Sequence, residues 1–166
     1  TTETDGDQNT SAFLGLFDVS ALILQSGPAP VTVYARRDES LQNRDFNSTL
    51  RVTTEEYGAA VEYRSEVIPT RLNYFHRILT QDDPLGASDL NSTQDSVGLQ
   101  SLYRINEHNQ LSLVYTFDHV DESQPAFDFK NVYDRHDGTI THDYQFGEES
   151  EHNLHSTLRF YDQTGE

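Results

Sequence analysis

Four histidines, His136, His142, His152 and His155, fall within one short stretch near the end of the chain. Imidazole is the commonest metal ligand, so such a cluster invites a metal reading. The spacing opposes it: there is no HExxH and no paired Cys/His pattern. His152 and His155 stand three apart, which on a strand means opposite faces. Turn and interior histidines are the expectation, with no metal and no cofactor.

Carboxylates are the next candidates. Residues 2–9, TETDGDQN, crowd three acids around a glycine but lack the spacing and the closing Glu of a calcium loop. A flexible acidic segment over residues 1–11 is expected instead. Asp82, Asp83, Asp89, Asp95, Asp121 and Glu122 could gather divalent cations; solvated loop charge is the favoured reading. Asn9, Asn47 and Asn91 begin glycosylation sequons, which matter only in a eukaryotic secreted protein. Ser, His and Asp occur without a GxSxG elbow, and no glycine-rich phosphate loop appears. No constellation asks for catalysis, so no enzyme is expected.

The most informative charges lie inside apparent strands. Glu62, Arg64, Arg71, Arg104, Asp118, Asp143 and Arg159 would shape the field along a pore if their face lined one. The competing reading is that they pair across strands as structural ladders.

Composition narrows the partners. The 166 residues carry a formal charge of -17, from 28 Asp+Glu against ten Arg and Lys130. Such a field repels phosphate backbones and anionic membrane surfaces, so neither nucleic acid nor docking through a basic patch is expected. Divalent or cationic partners are its natural complement. Only 34% of residues are hydrophobic, and the mean hydropathy is -0.70. Yet nine Tyr and nine Phe argue against disorder. Cysteine is absent, which removes disulfides and thiolate chemistry. No signal peptide and no apolar run of ~18 residues occurs, so no helical span is expected. A chain beginning at Thr1 and lacking Met is expected to be a mature segment or a fragment.

The elements that must position these groups are strands. In Gln110–Val120, Leu111, Leu113, Tyr115 and Phe117 share one face and Ser112, Val114, Thr116 and Asp118 the other, a strand with two different surroundings. Over residues 57–64 the same alternation sets Val61 and Tyr63 against Glu62 and Arg64. It sets Leu72 and Tyr74 against Arg71, Asn73 and Arg77, and Leu99 and Tyr103 against Gln100 and Arg104. It also sets Tyr144 against Asp143, and Leu158 and Phe160 against Thr157 and Arg159. With 12–24 and 31–39, roughly eight strands form an all-β antiparallel up-and-down meander over residues 12–166. Short connections are expected at 25–30, 65–69, 106–109 and 148–153, and long acidic loops at 40–49, 81–93 and 122–137. Three similar hairpins, at about 53–83, 92–121 and 136–165, form a weak internal repeat.

A sheet with one apolar and one polar face has two homes: a soluble sandwich, or the wall of a membrane barrel. Strand length, mid-strand charge and the contrast of short turns with long loops favour the barrel. On that reading Val61, Tyr63, Leu72, Tyr74, Leu99, Tyr103, Leu111, Leu113, Tyr115, Phe117, Tyr144, Leu158 and Phe160 face lipid. The alternative is a soluble secreted β-sheet module that binds carbohydrate or acts as an adhesin through acidic loops.

Several segments carry a resemblance. PVTVYARRDES (30–40), YGAAVEYRSEVIPTRLNYFHR (57–77), NQLSLVYTFDHVDES (109–123) and THDYQFGEESEHNLHSTLRFYDQTG (141–165) resemble hairpins of bacterial outer-membrane β-barrels. Porin-like proteins, TonB-dependent receptors and barrels that sheathe electron-transfer cytochromes all contain such hairpins. The resemblance implies a transport, porin or conduit role in the outer membrane of a Gram-negative bacterium, with lipid as a partner. Such barrels commonly close on a strand with a terminal aromatic and keep both termini at the short turns. Here the chain ends Thr164-Gly165-Glu166, with both outer strands reaching the long-loop side. A fragment completed by the remainder of a larger barrel is therefore expected.

Overall fold

Alternation of branched or aromatic residues with polar ones pays off in a ladder whose two faces differ, and that is what the chain builds. The computed structural model describes residues 15–43, 49–86, 88–148 and 151–165. The expected acidic segment 1–11, the start of the expected first strand at 12–14, and Asn9 and Asn47 lie outside the described residues.

Eight strands follow one another: β1 (Phe17–Ile23), β2 (Val31–Asn43), β3 (Thr49–Tyr63), β4 (Thr70–Asp82), β5 (Leu90–Asn106), β6 (Asn109–Gln124), β7 (Phe129–Phe146) and β8 (His152–Gly165). Among the described residues they form one antiparallel sheet in chain order, β1 to β8, with β1 and β8 as its edges. Contacts join sequential neighbours, and no second layer of described residues packs on either face. Among the described residues only Pro30, Leu50 and Val120 are buried apolar side chains, so these residues hold no sandwich core.

We call the edge holding the connections after β1, β3, β5 and β7 the lower edge, and the opposite one the upper edge. Lower turns are made locally. Ser65 Oγ accepts hydrogen bonds from Val67 N (3.3 Å) and Ile68 N (3.1 Å), and Asn106 Oδ1 accepts one from His108 N (2.9 Å). Such side-chain caps let a polar residue replace a backbone partner in a tight bend.

The upper edge departs from the expected long loops. β6 runs to Gln124, a 3-10 turn covers Pro125–Phe127, and β7 starts at Phe129. Asp128 closes this turn in the left-handed region, with φ 50. Residues 122–137, expected as a loop, are therefore mostly strand. Much of 81–93 is also strand, since β4 reaches Asp82 and β5 begins at Leu90. The reason is that these stretches are polar on both faces, so composition reads as loop while the backbone ladder continues. The expected contrast of short and long connections fails accordingly. The acids placed there hold the structure: Asp89 Oδ1 accepts from Asp83 N (2.8 Å), Asp83 Oδ1 accepts from Leu85 N (3.0 Å), and Asp121 meets Lys130 at 3.2 Å.

Candidate functional site

Because facing residues of a ladder share a face, the register assigns every strand residue to one of two sides. Val61, Leu72, Leu99, Tyr115, Gly138 and Phe160 are paired in one row, and Glu62, Arg71, Gln100, Val114, Thr139 and Arg159 in the next. All thirteen apolar candidates lie on the first face and six of the seven charged candidates on the second, Arg64 falling just past the end of β3.

The polar face is a set of satisfied ion pairs. Glu56 is only 4% exposed. Its Oε1 accepts hydrogen bonds from Tyr34 Oη and Arg36 NH2, both 2.8 Å, and its Oε2 accepts from Arg77 Nε, also 2.8 Å. In the register Asp18, Arg36, Glu56 and Arg77 stand in one row across β1 to β4, with alternating sign. Asp118, 3% exposed, accepts from Arg135 Nε (3.0 Å) and Gln94 Nε2 (3.1 Å). Arg77 also stacks over the Phe75 ring at 4.9 Å. Burial pushes the Glu56 carboxyl up, but the hydrogen bonds from Tyr34, Arg77 and Arg36 outweigh it and hold its pKa below the ordinary glutamate value. Glu56 lies on the upper side of the apolar band described below.

The remaining charged candidates are dispersed along this face rather than gathered. Glu62 faces Arg71 at 3.7 Å, Arg159 meets Asp137 at 2.7 Å, and Asp143 meets His155 at 2.6 Å. Arg64 and Arg104 donate to the turn carbonyls of Gln25 and Glu66, both at 3.1 Å. Cross-strand pairing thus describes these charges best. Arg36, Glu56, Arg77 and Arg135 were absent from the sequence-derived set. Glu56 falls just before the expected start of its strand, and Arg135 inside the expected loop 122–137. Adjacent Arg36 and Arg37 blur the alternation, although Arg77 already stood opposite Leu72 and Tyr74.

The histidines do not converge. His136 and His142 lie on the apolar face and His155 on the polar one. His136 Nδ1 shares a hydrogen bond with Tyr115 Oη (2.8 Å), and His142 Nε2 one with Asn109 Oδ1 (2.8 Å). Asp95, expected in a loop, sits on β5 with His76 (2.9 Å) and Tyr74 Oη (2.7 Å) as partners.

The apolar face is open to solvent: Leu72 is 46% exposed, Leu158 65% and Phe160 45%. Its aromatics follow oblique lines. Tyr63 shares a row with Thr70, Ser101, Leu113 and Ile140. Tyr103 lies two residues, and Tyr144 four residues, closer to the lower edge than that row. The line therefore drops one residue per strand. A second line runs above it through Phe17, Tyr57, Tyr74, Phe117 and Phe160, descending in the same direction. With ~3.3 Å per residue and ~4.8 Å between strands, this slope corresponds to a tilt of about 35°. Between the lines lie Val61, Leu72, Leu99, Leu113, Ile140 and Leu158. Ring stacking reinforces them, as at Tyr144–Phe146, with centroids 5.5 Å apart.

The chain matches no protein-family model, no curated protein and no solved structure.

Proposed function

We propose that this chain forms part of the wall of a transmembrane β-barrel in the outer membrane of a Gram-negative bacterium, with a transport or conduit role. One observation carries the reading: an uncovered apolar face whose aromatics run in two parallel oblique lines with aliphatic residues between them. Lipid-facing surfaces of membrane barrels have this composition, an apolar band flanked by aromatic girdles. The tilt of about 35° falls at the lower end of the ~35–45° found for barrel strands. The apolar run extends from Val97 to Ile105 on β5, broken by Ser101, and from Gly138 to Phe146 on β7, broken by His142. Eight residues of rise at that tilt give roughly 22 Å, near the ~25 Å height of an apolar band.

The opposite face suits a hydrated lumen. Arg36 and Arg135 keep one side in solvent, 51% and 42% exposed at the side chain, while their carboxylate partners Glu56 and Asp118 lie beneath. Strands of 13 to 18 residues from β2 onward also outrun the apolar band and carry polar residues on both faces toward the upper edge. That placement suits strands that project beyond the bilayer. The unpaired edges β1 and β8 call for further strands, because exposed edges template aggregation.

The test is detergent dependence of the whole chain. Far-UV circular dichroism and sedimentation should show aggregation in buffer, and β-structure in a discrete particle in micelles. A monodisperse β-rich monomer in plain buffer would overturn the membrane reading and favour a secreted binding module.

A further inference from the structure

We propose that the β8 edge of one copy pairs antiparallel with the β1 edge of a second copy, so that two copies complete one barrel. The inference rests on the barrel-wall reading and names the partner that its open edges require. Three observations on the described edges support it.

The first is direction. β1 runs from the upper to the lower edge and β8 from the lower to the upper, so β1 continues the antiparallel order past β8. The second is the apolar band. On β1 the face-matched residues Phe17 and Ile23 are six apart, as are Phe160 and Leu154 on β8. Setting Phe17 opposite Phe160 sets Ile23 opposite Leu154, and both limits of the band pass unbroken from copy to copy. The third is charge. The same register places Asp18 directly opposite Arg159 on the polar face. Arg159 is 68% exposed at its side chain and already holds Asp137 on one side, leaving guanidinium donors toward the open edge. Asp18 would extend the alternating row Asp18, Arg36, Glu56 and Arg77 across the junction.

Two copies joined at both junctions contribute their eight described strands each, sixteen in all. A ring of about that size leaves an aqueous channel, whereas eight strands enclose a space just wide enough for side chains. Tyr34, Phe75, Tyr133 and Tyr161, together with Arg36, Arg77 and Arg135, project from the polar face. A sixteen-stranded ring accommodates them and removes every open edge.

The chain has no cysteine, so introduced cysteines report the junction cleanly. Ser20 and Thr157 face each other in the proposed register. Ser20→Cys and Thr157→Cys chains, folded together and oxidised, should give a disulfide-linked heterodimer. Ser20→Cys mixed with Gln163→Cys, on the same face but six residues out of register, should give little. Adding Asp18→Arg to the Ser20→Cys chain should lower the yield about fivefold, and Arg159→Asp on its partner should restore it. Crosslinking is read in whichever medium supports β-structure, micelles or buffer, so it is independent of whether the barrel-wall reading survives. A disulfide formed within one chain by the Ser20→Cys/Thr157→Cys double variant would overturn the proposal in favour of self-closure. No disulfide in any combination would overturn it in favour of other strands.

Discussion

Leu113 and Val114 are neighbours on β6 and look out from opposite faces of the sheet: Leu113 shares a row with Tyr63 and Ile140, Val114 with Arg71 and Arg159. Both lie near the middle of the apolar band. An arginine at either position therefore samples the same depth on different sides. On a lipid-facing surface near the bilayer midplane, Leu113→Arg should cost ~2–4 kcal/mol. At about 1.4 kcal/mol per tenfold, this is roughly a 30- to 700-fold shift in the insertion equilibrium. Val114 is already 42% exposed beside charged neighbours, so Val114→Arg should change insertion by less than about threefold, in keeping with surface substitutions of ±0.5 kcal/mol. The assay is urea-titrated folding into phosphatidylcholine vesicles, followed by circular dichroism and protease protection. The reasoning fails if Leu113→Arg inserts like the parent, and equally if Val114→Arg is impaired as severely, because then the two faces are not in different media.

Two further outcomes follow from the packing. Glu56→Gln removes the charge that Arg36 and Arg77 share and should cost about 1–3 kcal/mol, less than for a fully buried pair because both guanidiniums remain partly hydrated. Since the Glu56 pKa is held low, its contribution is complete above the ordinary glutamate range near ~4.3 and is lost as pH falls through the folded-state value. The variant should therefore show a flatter denaturant midpoint as pH falls below about 5, and an unchanged profile would discard the network. Gly138 is buried under the Phe160 ring, which fills the space a Cβ would occupy. Gly138→Val should cost ~1–3 kcal/mol through overpacking and speed hydrogen exchange along β7–β8. Phe160→Ala should partly rescue it, and additive losses would refute this contact.

Much of the site was legible where one face is apolar and the other polar, because a strand's period of two leaves a direct trace in residue order. β6 is the clear case, and along the described strands the apolar candidates share one side of the sheet and the charged strand candidates the other. Legibility failed where both faces are polar. Residues 122–137 lack an apolar stripe, so Arg135 and its hold on Asp118 were hidden in an apparent loop. Glu56 was missed for a related reason: the residues before Tyr57 alternate polar with polar. Asp83, Asp89, Asp95 and Asp121, expected as solvated loop charge, proved to be turn caps and pair members, a distinction that depends on which backbone amide or cation lies within reach.

The sequence by itself determined that the chain is an antiparallel meander and which side chains share a face, since both follow from local alternation and from turns between neighbouring strands. Only the tertiary structure decided the register. Register aligned Tyr63, Tyr103 and Tyr144 on one oblique line, placed Arg36 and Arg77 on the same carboxylate, and left β1 and β8 as open edges. These relations join residues tens of positions apart, and a shift of two residues in any one pairing preserves every face while breaking each line and ion pair.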